Sequence, residues 1–295
     1  MILDLDLRRR FFAEEIEAVA KLRSPRLVDA FAAVPRERFL PAGPWTVLSD
    51  SGEGYVMMSG IRLRPTADAD PARVYHNIAV AIDPDRHLFN GQPATIGVWI
   101  DTLELAAGTR LLHVGAGLGY YTAVMAECVG PQGRVVAYEI DEALAGAAAR
   151  NLAAYETVDL RYGDGASPFD ERFDAVLVNA GVTHPLDTWL DALSPGGRML
   201  LPLTAPMPVP GATLGKGVVI LLTKESDGSV SARIVAFVAA YSALGVRDPA
   251  MDEPIGKALT AGPGRWQAVR RLRRDRHDPD GSCWLHRDGC CFSAM

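Results

Sequence analysis

The sequence predicts an α/β protein with a mostly parallel sheet, and the order of its apolar segments leads to that prediction. From about residue 110, short apolar runs typical of buried strands alternate with segments of helical periodicity. Strands that alternate with helices form parallel sheets with right-handed crossovers. The last two apolar runs, 215–224 and 230–241, are instead joined by a short polar turn containing Asp227 and Gly228, which is typical of an antiparallel hairpin.

The first 92 residues predict helices followed by irregular structure. Ser24 before Pro25 is the pattern of an N-cap with a proline in the first turn, so a second helix should begin there, after an amphipathic first helix. Residues 41–92 are rich in glycine, proline and aspartate. Because this stretch is long for a loop, we expect short strands in it or a cover over a site.

The elements of the central region follow from the same local patterns, with Gly119 opening one helix and Glu139 near the end of one strand. We expect these segments in order: a helix at 94–105, a strand at 111–114, a helix, a strand at 133–141, a helix at 142–155, strands at 158–165 and 173–181, a helix at 185–197 that ends at glycines, a strand at 198–204 and the hairpin.

Together these segments predict a Rossmann-like methyltransferase fold, with a mostly parallel seven-stranded sheet that ends in an antiparallel hairpin. Dinucleotide dehydrogenases instead continue with a second βαβ half. We therefore divide the chain into N-terminal helices and an irregular cap at 1–92, a cofactor-binding domain at 93–242 and a C-terminal appendage at 243–295.

The composition limits the classes of function. The 295 residues carry a net charge of −6, which gives no general attraction to nucleic acid, and there is no uninterrupted run of eighteen apolar residues that would span a membrane. One of the four cysteines lies in the predicted core and the other three lie in the last fifteen residues. Because this is not a disulfide framework, we expect a cytoplasmic protein.

A glycine loop and two acidic residues predict a nucleoside cofactor. Gly115, Gly117 and Gly119 form a G-x-G-x-G turn between a strand and a helix. Glu139, at the end of the next strand, is placed to accept hydrogen bonds from ribose hydroxyls, and Asp164 could accept one from an adenine amino group. The alternatives are a tight turn, a solvated strand end and an ordinary Asp-Gly turn. The loop has no lysine for a phosphate, as suits S-adenosylmethionine.

Several segments resemble the protein-L-isoaspartate O-methyltransferase family, over roughly residues 24–240. The matching segments are VPRERFLP at 34–41, YHNIAVAI at 75–82, Gln92-Pro93, LHVGAGLGY at 112–120, FDAVLVNA at 173–180 and GGRMLLP at 196–202. The resemblance implies a class I S-adenosylmethionine-dependent methyltransferase. It implies cofactor contacts from His113, Gly115, Ala116, Gly117, Gly119, Tyr120, Glu139, Ile140, Asp164, Gly165 and Asn179.

The chain also departs from that family. Gly91 stands where the family has a serine that contacts the substrate, His113 where it has a glutamate, and Asn77 where it has an aspartate. About thirty extra residues lie between Pro41 and Tyr75, and the last fifty residues have no counterpart in the family. We therefore predict poor activity on ordinary isoaspartyl peptides and favour a carboxylate on a specialised peptide or a small molecule.

Methyl transfer from a sulfonium needs alignment of the reacting atoms more than it needs a base, because a carboxylate is already ionised at neutral pH. Asn90, Gln92 and Asn179 are candidates to orient the acceptor, although amides at such positions often only structure a loop; His76 and His184 are possible bases. The alternatives are an N- or O-methyltransferase of a specialised metabolite and a non-catalytic cofactor sensor or scaffold. The segment Asn179-Ala-Gly-Val lacks the Asn/Asp-Pro-Pro-aromatic motif of base methylases.

The C-terminal region carries two further patterns. Residues 265–276 contain six arginines, which indicates either a surface helix or a basic arm for an anionic partner. Cys283, His286, Cys290 and Cys291 could together ligate a metal, but adjacent cysteines rarely bind one ion. We therefore predict no metal site and a loosely ordered tail.

Overall fold

A computed structural model describes residues 4–48, 63–86, 88–207 and 213–295. The chain forms two compact units, each made of several segments. The first comprises Met1–Gly108, Ala116–Val135 and Asp141–Leu160, and the second comprises Thr109–Gly115, Val136–Ile140 and Arg161–Met295. The division of the chain at residues 92 and 242 stays a prediction.

The described residues of the first unit form five α-helices and a small sheet. The helices are α1 (Leu5–Ala20), α2 (Pro25–Ala33), α3 (Pro93–Thr102), α4 (Tyr120–Val129) and α5 (Glu142–Asn151). The Ser24 hydroxyl accepts a hydrogen bond from the Leu27 amide (3.3 Å), which confirms the predicted N-cap of α2. The core of this unit includes Phe12, Ile16 and Phe31.

The small sheet lies in the region predicted to be irregular with short strands. Its strands are β1 (Thr46–Leu48), β2 (Leu63–Pro65), β3 (Ala79–Asp83) and β4 (Leu88–Phe89), in the order β2-β1-β3-β4 with antiparallel pairing. Part of the predicted extra segment between Pro41 and Tyr75, residues 49–62, lies outside the described residues.

The main sheet has ten strands in the order β13-β14-β12-β11-β10-β9-β8-β5-β6-β7. The strands are β5 (Arg110–Val114), β6 (Arg134–Glu139), β7 (Val158–Tyr162), β8 (Phe173–Val178), β9 (Leu193–Pro206), β10 (Leu214–Lys224), β11 (Val230–Tyr241), β12 (Arg271–Arg273), β13 (Cys283–Arg287) and β14 (Cys290–Ser293). Strands β5, β8 and β9 pair in parallel, whereas β9, β10 and β11 pair antiparallel. The α/β fold class and the antiparallel β10–β11 hairpin are therefore confirmed. The sheet has ten strands and not the predicted seven, because β12, β14 and β13 continue it beyond the hairpin with antiparallel pairing.

The helix before β9 is shorter than predicted. It spans Asp187–Ala192 (α6), and β9 begins at Leu193, so the glycines at 196 and 197 lie in the strand and do not end the helix. The Lys224 ammonium donates hydrogen bonds to the carbonyls of Leu190 (3.0 Å) and Leu193 (2.9 Å). A cation at the helix C-terminus satisfies these carbonyls in place of a glycine cap.

The C-terminal region is ordered, which corrects the expectation of a loose tail. It contains α7 (Asp252–Thr260), α8 (Pro263–Gln267) and the three strands that extend the main sheet beyond β11. Its Trp284 and Phe292 are buried in the same apolar core as Trp189 and Ile220. This shared burial gives the short strands a hydrophobic driving force that their length alone does not supply.

The arginine-rich segment is neither one helix nor a free arm. It divides into the end of α8 and strand β12. Arg274 forms ion pairs with Asp187 and Asp191 (both 2.8 Å), and Arg265 donates to the Cys283 carbonyl (2.6 Å). These contacts attach the segment to the second unit.

Among the described residues, no helix is long and apolar enough to cross a membrane.

Candidate active site

Backbone hydrogen bonds bring the carboxyl ends of the central strands together in the second unit. The Gly115 amide donates to the Tyr138 carbonyl (2.9 Å), and the Gly163 amide donates to the Glu139 carbonyl (2.9 Å). The Asn179 amide donates to the last residue of β5 (2.8 Å). The ends of β5, β6, β7 and β8 therefore lie side by side, which is where open α/β sheets bind ligands.

Glu139 is the last residue of β6 and is only 7% exposed. A carboxylate at such a strand end can accept hydrogen bonds from both hydroxyls of a ribose. Ile140, the residue that follows it, is partly buried and apolar. An acidic group followed by an apolar one suits a ligand that has a diol and an adjacent flat base.

Asp164 and Gly165 form a tight turn after β7, and the turn does not use the whole carboxylate. Asp164 Oδ1 accepts a hydrogen bond from the Ala166 amide (3.0 Å). Gly165 has a φ of +64°, and a Cβ there would lie 3.1 Å from the Tyr138 ring. The buried Trp189 indole donates to the Gly165 carbonyl (2.8 Å). The turn is thus fixed by packing. Among the residues that the structure describes, none donates a hydrogen bond to Asp164 Oδ2, which leaves this atom for a ligand such as an adenine amino group.

The glycine loop has conformations that L side chains rarely adopt. The φ angles are +88° at Gly115, +58° at Gly117 and +92° at Gly119. In the second unit, a Cβ on Gly115 would lie 3.3 Å from the Asn179 carbonyl oxygen. In the first unit, a Cβ on Gly119 would lie 2.8 Å from Leu152 Cδ1. The glycines therefore serve the turn and its packing, and they also keep the backbone open to a ligand.

The residues next to the loop take different positions. Ala116 is buried, and the Tyr120 ring packs against Phe39 with 5.9 Å between centroids, so the Tyr120 side chain belongs to the core of the first unit. Tyr120 also begins α4, whose first amides point out of the helix N-terminus. We therefore expect Ala116 and Tyr120 to contact a cofactor through their backbone.

His113 lies inside β5 and is completely buried. Burial lowers the pKa of His113 to about 3, because desolvation disfavours the imidazolium, so the side chain is neutral. A direct contact between His113 and the cofactor stays a prediction. Its position within a central strand is that of a core residue.

Three amide side chains organise residues 90–92 in the first unit, which we call the acceptor loop because Asn90 and Gln92 are candidates to orient the methyl acceptor. Asn90 Oδ1 accepts a hydrogen bond from the Val80 amide (2.9 Å), and Gln92 Nε2 donates to the Asn77 carbonyl (3.2 Å). Asn77 Oδ1 accepts from the Ala94 amide (2.9 Å), so it caps the first turn of α3. The structure thus brings Asn90, Gln92 and Asn77 together.

Arg36 is a residue that the sequence analysis missed. Its guanidinium is fully buried and donates to the carbonyls of Val74 (2.6 Å), His76 (3.0 Å) and Ile78 (2.6 Å). It also reaches Asn90 Oδ1 (3.4 Å). One side chain therefore holds the 74–78 segment beside the acceptor loop. The only signal in the sequence is its position within VPRERFLP.

Comparisons with known proteins identify the family. The family model described as protein-L-isoaspartate(D-aspartate) O-methyltransferase (PCMT) matches residues 62–242. The chain belongs to this family. A Syntrophobacter fumaroxidans protein-L-isoaspartate O-methyltransferase 2 is 30% identical over 243 residues, which are 81% of this chain and 82% of the relative. The Methanothrix thermoacetophila protein-L-isoaspartate O-methyltransferase is 33% identical over 193 residues, 64% of this chain and 78% of the relative.

Solved structures agree on the fold of this PCMT family member. A protein-L-isoaspartate O-methyltransferase with 22% identity aligns with a TM-score of 0.62, over 90% of this chain and 72% of the other. A Plasmodium falciparum protein described as a beta-aspartate methyltransferase, solved with S-adenosyl-L-homocysteine, has 15% identity and a TM-score of 0.59, over 80% and 97% of the two chains. The predicted methyltransferase class and the S-adenosylmethionine cofactor are confirmed at the level of the family.

The acceptor loop of this PCMT family member is built for glycine at position 91. Gly91 has a φ of +79°, and a Cβ there would lie 3.1 Å from Ile96 Cγ1. The Tyr121 hydroxyl donates to the Gly91 carbonyl (3.1 Å) and fixes the loop. A serine in this conformation would be strained, so the departure from the family serine accompanies a specific loop geometry.

A cavity of about 350 Å³ lies in the first unit beside this loop. Arg64, Arg73 and His76 bring positive or titratable groups to its wall, and Glu15 and Asn77 also line it. Asp68 already pairs with Arg73 through two hydrogen bonds (3.1 and 3.0 Å). Because Asp68 offsets Arg73 and Glu15 offsets a second arginine charge, the described lining is close to neutral.

The other predicted candidates have mainly structural contacts. Asn179 Nδ2 donates to the Gly115 carbonyl (3.4 Å), which ties the end of β8 to the glycine loop. His184 Nδ1 lies 3.0 Å from the Thr183 hydroxyl, and burial lowers the pKa of His184. In the second unit the structure gathers Gly115, Glu139, Asp164 and Asn179. A direct role of Asn179 on the acceptor stays a prediction.

Proposed function

We propose that this methyltransferase modifies a side-chain carboxylate of a peptide or protein, of the isoaspartyl class that gives the family its name. The observation that carries the proposal is the family match, which spans residues 62–242 and so includes both the strand-end groups and the acceptor loop. The cofactor, when bound, supplies an activated methyl group on a sulfonium. Glu139 and Asp164 would hold its ribose and its base.

The chemistry of the described residues favours an acceptor that is already ionised. A carboxylate has an ordinary pKa of about 4 and needs no base at neutral pH, whereas a hydroxyl or an amine often needs one. His113, near the glycine loop in the sequence, is enclosed within the sheet and unsuited to proton transfer with a substrate. Arg64 and His76 in the cavity wall could each donate a hydrogen bond to a carboxylate of an acidic peptide.

Gly91 supports a preference for particular peptides over isoaspartyl residues in any context. The family resemblance implies a substrate contact from a serine side chain at this position, and glycine cannot provide it. Binding energy lost at the acceptor must come from contacts to flanking residues of the peptide. We therefore expect weak methylation of generic isoaspartyl peptides and faster methylation of peptides that carry further acidic groups.

Transfer of a labelled methyl group into matched peptides tests the proposal. Pairs of peptides should differ only in isoaspartate against aspartate, within an acidic and within a neutral flanking sequence. We expect the label to enter the peptide as a carboxyl methyl ester. Mild base should then release it as labelled methanol, because carboxyl methyl esters are base-labile. A base-stable product would point to the metabolite-type N- or O-methyltransferase, and cofactor binding without turnover on any acceptor would point to a sensor. A cytoplasmic location stays a prediction.

A further inference from the structure

Four side chains of the C-terminal region gather around one point. One ligand atom from each of His277, Cys283, His286 and Cys291 lies within 4.8 Å of the other three. Cys283 Sγ is 3.6 Å from His277 Nε2, and the two histidine rings have centroids 4.8 Å apart. Cys283 and Cys291 are buried and the histidines are partly buried, so the cluster is enclosed by the chain.

We propose that these four side chains bind one zinc ion as a closed structural site. Zinc prefers four tetrahedral ligands from cysteine and histidine, at about 2.3 Å from sulfur and about 2.0–2.1 Å from nitrogen. Such a tetrahedron has ligand–ligand distances of about 3.3–3.8 Å. The observed limit of 4.8 Å is about 1.0–1.5 Å longer, so small side-chain rotations bring all four atoms into range.

The outer contacts of the histidines direct a nitrogen toward the cluster. His277 Nδ1 lies 3.2 Å from the Asp275 carbonyl and 3.3 Å from the Asp275 carboxylate, so its proton is held there and Nε2 keeps its lone pair. His286 Nε2 lies 3.9 Å from Asp288 Oδ1. Within the described part of the chain, His286 Nδ1 is buried and has no hydrogen-bond partner. A carboxylate or carbonyl behind a histidine is the usual outer contact of a zinc ligand.

The surroundings of the thiols fit bound thiolates. The Asp280 amide donates to Cys283 Sγ (3.4 Å), which supports negative charge on sulfur. Arg273 pairs with Asp275 (2.8 Å) and lies 3.8 Å from Asp280, so the nearby carboxylates are largely compensated. One divalent cation with two thiolates and two neutral imidazoles makes a neutral centre, which costs little to enclose.

The cluster contains His277 in place of Cys290, which the cysteine pattern of the sequence had included, and the geometry of strand β14 explains this difference. Cys290 and Cys291 are consecutive in an extended strand, so their side chains point to opposite faces. Cys291 is opposite His286 in the β13–β14 register, whereas Cys290 packs in the apolar core of the second unit. His277, from the segment between β12 and β13, takes the fourth position.

Zinc at this position would join three parts of the C-terminal region. His277 precedes β13, Cys283 and His286 belong to β13, and Cys291 belongs to β14. Strand β14 in turn pairs with β12, which pairs with β11 at the edge of the methyltransferase sheet. The ion would therefore stabilise the extension of the sheet, because short hairpins are marginal without added support.

Metal analysis of the purified full-length chain tests the proposal. We expect about one zinc per chain after gel filtration under reducing conditions, and at least a tenfold lower content in Cys291→Ser. Cys290→Ser is the matched control, since it removes the neighbouring thiol from the other face and should keep its zinc. Co²⁺ in place of zinc should give the visible absorption bands of a tetrahedral site with thiolate ligands.

A second measurement covers the case in which Cys291→Ser fails to fold. In the wild-type protein, a strong chelator should release zinc together with increased reactivity of two thiols, and added zinc should reverse both changes. Wild-type protein without zinc, or a Cys283–Cys291 disulfide in the freshly purified chain, would overturn the proposal. Equal loss of zinc in the Cys290 and Cys291 variants would also overturn the assignment of ligands.

Discussion

Replacement of Arg36 by methionine should destabilise the protein, because it leaves the buried carbonyls of Val74 and Ile78 without a donor. The guanidinium donates to three backbone carbonyls at 2.6, 3.0 and 2.6 Å. An orphaned buried acceptor costs about 1–3 kcal/mol. The His76 carbonyl keeps a hydrogen bond from the Ile78 amide (2.8 Å), so two carbonyls lose their donor. With about 1–1.5 kcal/mol for each of them, the free energy of unfolding should fall by about 2–3 kcal/mol. That is a substantial part of the roughly 5–15 kcal/mol typical of a domain.

Urea unfolding followed by tryptophan fluorescence measures this loss. Arg38→Met is the matched control, because Arg38 lies two residues away in the same motif and its side chain is exposed. The control should change the free energy of unfolding by no more than about 0.5 kcal/mol. If the free energies of unfolding of Arg36→Met and Arg38→Met differed by less than about 1 kcal/mol, the guanidinium of Arg36 would not be what holds the 74–78 segment in place.

The remaining predictions concern Gly91 and His113. Gly91→Ser should lower the free energy of unfolding by about 1–2 kcal/mol, because φ is positive at this position, and it should not raise activity on isoaspartyl peptides. Thermal unfolding and methylation rates measure the two effects. A variant that is as stable as the wild type and more active would contradict the argument from backbone strain. Below pH 6.5 the unfolded His113 binds a proton that the folded side chain, with its pKa near 3, does not. As the pH is lowered from 6.5 to 3, the free energy of unfolding should therefore decrease by up to about 1.4 kcal/mol per pH unit. The decrease should be less steep in His113→Leu. An unchanged slope in the variant would count against this.

The central sheet could be predicted because its signals are local. The apolar run ending at Val114, the glycines after it and the helical segment from Glu142 each specify an element without reference to distant residues. The Asp227-Gly228 turn similarly placed the hairpin. The polar groups of the site followed from the fold, since they stand directly after the predicted strands.

The C-terminal strands were missed because they are short and their burial depends on distant partners. β14 has four residues and β12 has three. One local signal was available: Asp288-Gly289 joins β13 to β14, and Asp-Gly between two short apolar runs is a sequence pattern typical of a hairpin. The partner of these strands, β11, begins about forty residues before β12 and could not be inferred from periodicity.

The roles of individual polar side chains were also beyond local reasoning. Arg36 resembles a surface residue in the sequence, and its partners lie 38 to 54 residues away. His277 lies outside the cysteine-rich stretch, so its approach to Cys283 depends on how the intervening turn folds. Asn77 caps α3 from seventeen residues away. Such long-range contacts require the tertiary structure.

Titration of S-adenosylhomocysteine into Glu139→Ala by calorimetry tests the central claim, that the carboxyl ends of β5–β8 form the cofactor site. Loss of a charged acceptor costs about 1–3 kcal/mol, so the dissociation constant should rise about 5- to 150-fold. Glu142→Ala, which changes an exposed carboxylate in the first turn of α5, should bind like the wild type. Unchanged affinity in a folded Glu139→Ala protein, or equal weakening in both variants, would contradict the account.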